Sequence, residues 1–127
     1  MKITNMQAAM AFAVINGMGP VTPSKATYAL KINKGRLKPF DEAIIEQRQA
    51  TYKSLFGDAT EVSKTDPKLP DFQKQMEEFY AQEIEFDLFT VPVMEADFAA
   101  DGVSPNGLEA ISWMFQDAAT KNGEPTP

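Results

Sequence analysis

Apolar side chains recur at helical spacing in four stretches of the chain and at strand spacing in one. Met6, Ala9, Met10, Ala13 and Val14 stand three or four apart, which predicts a helix over about 6–16 with these residues on its buried face. Residues 2–4 fit a short strand ahead of it, Asn5 is placed to cap it, and Gly17 and Gly19-Pro20 end it. Val21-Thr22-Pro23 reads as an extended linker, because the residue before a proline is pushed out of helical backbone. From Ser24 to Phe56 the helical pattern is long. Leu30, Leu37 and Ile44 are seven apart, as are Ile45 and Tyr52, with Phe40, Leu55 and Phe56 on the same side. That is the spacing of a helix packed lengthwise against a partner. Gly35 weakens such a helix, and Pro39 lacks a donor and crowds the carbonyl of Gly35. A kink or short break is expected at about 34–39.

Gly57-Asp58 closes this segment, and residues 58–70 are polar, contain two prolines and read as a loop. Pro70-Asp71 opens a third helix with Phe72, Met76, Phe79 and Tyr80 at i, i+4, i+7 and i+8, and with Glu77 and Glu78 facing out. The period then changes to two. Glu83-Ile84-Glu85-Phe86-Asp87-Leu88 alternates charged and apolar, predicting a half-buried strand over about 83–91 with three carboxylates on its wet face. Its expected partner is the strand at 2–4, since no other segment shows strand character. A two-stranded ribbon alone is marginal, so helices must cover it. Met94 to Val103 reads as a loop. Ser104-Pro105 then supplies an N-cap and a first-turn proline for a last helix carrying Leu108, Ile111, Met114 and Phe115. The expected architecture is α+β, mostly helical: a long kinked central helix (about 24–56), two or three shorter helices and a small two-stranded β element. Residues 1–116 are expected to form a single compact domain and 117–127 a disordered tail.

Composition narrows the chemistry. The 127 residues include 43% hydrophobic and 10% aromatic side chains, enough to close one core. There is no histidine and no cysteine, which removes disulfides, Cys/His zinc sites, thiol nucleophiles and histidine bases. No phosphate-binding loop or dinucleotide fingerprint is present, and Ser24-Lys25 reads as a cap and a surface charge. A chain this short also leaves little room for a substrate cleft. No catalytic, metal-binding or cofactor-binding residue is assigned. The apolar run Ala8–Ile15 is too short for a membrane span and lacks a cleavage pattern, so the expected location is the cytoplasm of the producing cell, or a virion. The methionines, mostly at helix-core spacing, read as gap filling.

The net charge of −6 conceals an asymmetry: the first 64 residues carry +4 and the remainder −10. Lys25, Lys31, Lys34, Arg36 and Lys38 form a stretch without an acid, and Lys31, Lys34 and Lys38 fall on one side of the long helix. Such a stretch serves either as a phosphate or acidic-partner contact or as a plain solvated face. On the acidic strand, Glu83, Glu85 and Asp87 are about 7 Å apart in succession, too wide to ligate one ion together. They suit either phosphate mimicry or ordinary protection of a strand edge. Trp113, the single tryptophan, falls off the main apolar face of the last helix and suits either a partner anchor or a core staple.

The order of these features resembles a family of small phage- and prophage-encoded proteins of unknown function. The likeness rests on Met1-Lys2-Ile3-Thr4-Asn5, on Pro23-Ser24-Lys25-Ala26-Thr27-Tyr28-Ala29-Leu30 entering a long helix, on Glu83–Leu88, and on Ser104-Pro105-Asn106-Gly107-Leu108. It implies a viral or prophage origin and a non-enzymatic role, and carries no site residue with it. The leading expectation is an accessory protein acting by protein–protein binding, in virion assembly or as a small structural subunit. Its candidate contact residues are Glu83, Glu85, Asp87, Lys31, Lys34, Lys38 and Trp113. The partner is a protein, the same chain or another, with a homo-oligomer allowed and neither nucleic acid nor membrane expected. The alternatives are an acidic inhibitor of a host nucleic-acid-handling protein and a small carboxylate-dependent enzyme.

Overall fold

In the computed structural model, which describes residues 1–116, four helices and four very short strands follow one another as β1 (Lys2–Thr4), α1 (Asn5–Gly17), β2 (Val21–Thr22), α2 (Ser24–Phe56), α3 (Leu69–Ala81), β3 (Glu83–Glu85), β4 (Ala99–Ala100) and α4 (Pro105–Ile111). Two 3₁₀ turns add Glu95–Asp97 and Ser112–Met114. The fold is α+β and mostly helical. The expected tail at 117–127 lies outside the described residues.

The 33-residue helix α2 is the axis on which the rest is laid. Its stripe Leu30, Leu37 and Ile44 is buried, as the sevenfold spacing requires, and Ala26, Ala29, Asn33 and Thr51 extend it. The helix is continuous through 34–39, so of the two expected outcomes the break does not occur. Gly35 and Pro39 both lie on the exposed side, so the carbonyl that Pro39 leaves unpaired can turn to water. The buried stripe on the other side holds the rod in place. Gly57, at φ 61°, then ends the helix and donates its N–H to the Lys53 carbonyl.

Helix α1 buries a different face from the one its sequence suggests. Asn5, Ala8, Ala11 and Ile15 point inward, whereas Met6 and Met10 remain 43% and 48% exposed and Ala13 faces out. Nearly every position of α1 is apolar, so periodicity cannot fix its phase. Close packing does: the small Ala8 and Ala11 share one core with Ala26 and Ala29 of α2, and small side chains let two helix backbones approach. The cap also moves by one residue. Thr4 Oγ1 accepts the Gln7 N–H at 3.1 Å, and Gln7 Oε1 accepts the Thr4 N–H at 2.9 Å, a reciprocal capping box. Asn5, buried instead, sends its Nδ2 to the Phe79 carbonyl at 2.9 Å. It thereby ties the start of α1 to the end of α3.

Strand β3 pairs antiparallel with β1, Ile3 opposite Ile84, as expected. It is shorter than its alternating pattern: the ladder ends at Glu85, with one further bond from the Phe86 N–H to the Met1 carbonyl at 2.8 Å. Beyond it, residues 86–93 run through the core, where Phe86, Val91 and Val93 are buried and Val91 forms a parallel bridge with Phe115. Val21-Thr22, expected as an extended linker, is a strand paired with Ala99–Ala100, which lies within the expected loop at 94–103. Two-residue strands have no alternation to read. The last helix begins as its sequence dictates, with Ser104 Oγ accepting the Gly107 N–H at 3.1 Å and Pro105 in the first turn.

Candidate functional site: an apolar groove between α2 and α3

The long helix has a second, mixed face beside its buried one, with Ile45 and Tyr52 as its apolar members. Ile45, Arg48, Gln49 and Tyr52 stand at i, i+3, i+4 and i+7 and so share a face. Helix α3 returns antiparallel in sequence order after residues 57–68 and presents Phe72, Met76 and Tyr80 from its amphipathic face. Tyr52, Phe56 and Phe72 form an aromatic cluster with centroids 5.1 to 6.0 Å apart, and Tyr52 Oη donates to the Ala59 carbonyl at 2.8 Å. This cluster pins α3 to α2.

The two helices do not close on each other along their full length. A cavity of about 790 Å³ opens among Met6, Arg48, Phe72, Met76, Glu77 and Tyr80, with Thr4, Gln73 and Ala81 completing its walls. A second, of about 420 Å³, adjoins it and is lined by Ile45, Gln49 and Tyr52 together with the shared Arg48 and Phe72. The expectation of little room for a cleft is therefore corrected. Ile45 is 48% exposed, although its sevenfold spacing with Tyr52 suggests core. Met6 lines the larger cavity, and Met10 follows one turn further along the same helix face. Met1 and Met94 are also exposed, so the gap-filling role holds for the buried Met76 and Met114 and not for these four.

The groove carries one cation and one anion. Among the described residues neither Arg48 nor Glu77 has an ion-pair partner, and the ion pairs present lie elsewhere. Burial, and then the negative charge of Glu42, raise the Asp41 carboxyl above its ordinary value. No three carboxylates converge in a manner that could hold a metal ion among these residues.

The residues singled out from sequence are scattered. Glu83, Glu85 and Asp87 are exposed on and beyond β3. Two of them have cations beside them: the N-terminal amine lies 3.7 Å from Glu85, and Arg36 Nη1 lies 3.4 Å from the Asp87 carboxylate and 3.0 Å from its carbonyl. The basic and acidic blocks of the sequence thus meet in space at Arg36 and Asp87. Lys31 and Lys34 flank a cleft of about 220 Å³ at the end of α1, and Lys38 stands exposed one turn on. Trp113 is half-buried. Its ring meets Phe86 edge-on at 5.8 Å and its Nε1 donates to the Ala110 carbonyl at 3.0 Å, which makes it a staple over the core. None of these residues lines the α2–α3 groove. The signal that could have found it is the double stripe on α2: Leu30, Leu37 and Ile44 need one partner, and Ile45 and Tyr52 need another.

No protein-family model, curated protein or solved structure matches this chain. No helix among the described residues is long and apolar enough to cross a membrane.

Proposed function

We propose that this protein acts by binding another polypeptide in the α2–α3 groove, as a phage-type accessory protein serving in virion assembly or as a small structural subunit. The observation that carries the reading is the exposure of Met6 and Ile45 on an open groove floored by Phe72, Met76 and Tyr80. Two apolar side chains exposed on an open groove give a partner apolar area to cover. The groove is open to solvent, and so fits a polypeptide segment better than a small molecule held on all sides. Without histidine, cysteine or a converging carboxylate set among the described residues, binding is the better-supported role than catalysis.

A photo-crosslinking side chain placed at Ile45 tests this in the cell that makes the protein. Adducts with a polypeptide are expected from Ile45 and not from Ser54, which is exposed on the opposite side of α2. Equal yields from both positions, or none from Ile45, overturn the reading.

A further inference from the structure

We infer that Met6 is an oxidation site through which a peroxide weakens binding in the groove; this rests on the reading that the groove binds a polypeptide. The chain has no cysteine, so its thioether sulfurs are the side chains that a peroxide attacks first. Access then decides which of the seven methionines reacts. Met76 and Met114 are buried, whereas Met1, Met6, Met10 and Met94 are open to water. Of these four, Met6 is the one in the wall of the larger cavity. Met10 is exposed to the same degree but stands off that wall, so the two separate reactivity from position. In the reaction the Met6 sulfur attacks one oxygen of hydrogen peroxide and the O–O bond breaks. The bound oxygen passes its proton to the departing hydroxide, which leaves as water, and the sulfur is oxidised to the sulfoxide as the peroxide is reduced. A flexible apolar side chain thereby gains a strong acceptor. A partner that covers Met6 with apolar side chains must then take that oxygen out of water, and this costs affinity.

Hydrogen peroxide applied to the full-length chain tests this, with peptide mass mapping to locate the added oxygen and crosslinking from Ile45 to read binding. Met6 and Met10 are oxidised at least about tenfold faster than Met76 and Met114. The crosslinking yield of the treated wild type falls at least about fivefold, and methionine sulfoxide reductases restore it. Met6→Leu keeps the apolar bulk without the sulfur, so its yield is the same with and without peroxide. Met10→Leu loses yield on treatment as wild type does. Met6→Gln places a polar amide at the same reach and lowers the yield with no peroxide added. Both methionines are exposed, and circular dichroism of every treated and variant sample checks that the fold is kept. A Met6 that stays reduced while Met10 is oxidised, a treated wild type that crosslinks as before, or a Met6→Leu variant as sensitive as wild type each overturn the inference and leave the groove's binding role standing. An untreated wild type without an Ile45 adduct overturns the binding role, and this inference with it.

Discussion

The side chain of Asn33 and the main chain of Phe89 exchange two hydrogen bonds: Nδ2 donates to the Phe89 carbonyl at 2.8 Å and Oδ1 accepts the Phe89 N–H at 2.9 Å. Asn33 is 0% exposed, so the pair is made in the core, where the long helix meets the segment that follows β3. One carboxamide here does what a neighbouring strand would do, satisfying both main-chain groups of a residue that no ladder reaches. The same Nδ2 lies 3.6 Å from the Met114 sulfur.

Replacing Asn33 by Ala strands the Phe89 N–H and carbonyl, and costs about 3 kcal/mol in urea unfolding. Asn33→Asp keeps the acceptor but can donate to the Phe89 carbonyl only when protonated. Its stability therefore falls as pH rises through the acid range, a dependence the Ala variant lacks. A loss under about 0.5 kcal/mol for Asn33→Ala would show that the pairing is dispensable.

The outer face of α2 is the place to gain stability. A Cβ at Gly35 meets nothing within 4 Å, so Gly35→Ala raises the unfolding free energy by about 0.5–1 kcal/mol. Pro39→Ala restores the missing N–H on an exposed turn and gains about 1–3 kcal/mol. Thermal unfolding followed at 222 nm measures both, and a lowered midpoint for either would mean that the break in the hydrogen-bond ladder is itself required.

Two caps can be removed independently. Thr4→Ala dismantles the reciprocal bonds with Gln7, and Ser104→Ala removes the acceptor of the Gly107 N–H. Each loses about 1 kcal/mol. Amide exchange should rise first in the opening turn of the affected helix, and unchanged protection there would count against the capping role.

Asp41 gives the fold a pH dependence of known sign. Its carboxyl is raised by burial and by Glu42, so native and unfolded states are both protonated well below the ordinary aspartate value. As pH rises through the raised native value, the unfolded chain gives up its proton more easily and stability is lost. Asp41→Asn removes that loss, and its stability relative to wild type rises as pH climbs from below the ordinary aspartate value through the raised native one. Parallel stability curves for the two proteins would contradict the assignment.

The acidic strand separates the groove from phosphate mimicry. The combined variant Glu83→Gln, Glu85→Gln, Asp87→Asn loses only exposed pairs, those to the N-terminal amine and Arg36, so its stability stays within about 1 kcal/mol of wild type. Its crosslinking from Ile45 is also unchanged, because these residues lie outside the groove. A variant that folds but no longer crosslinks from Ile45 would move the contact surface to β3.

Much of this molecule is legible locally. The sevenfold stripe of Leu30, Leu37 and Ile44, the stop at Gly57, the face of α3 and the cap at Ser104 each follow from residues within a turn or two of one another. Even the pairing of β1 with β3 follows, because alternation at 83–88 leaves residues 2–4 as the evident partner. Tertiary structure decided the rest. An apolar helix such as α1 has no phase until Ala8 and Ala11 find a close neighbour, and strands of two residues such as β2 and β4 have no pattern until they pair. Asn33 is polar in sequence and core in space because its partner is 56 residues away. Ile45, Tyr52 and Phe72 are apolar at core spacing, yet they line a groove, because α1 covers one stripe of α2 and α3 only partly covers the other. Local chemistry sets which face of an element is apolar; whether that face is covered depends on how many partners reach it.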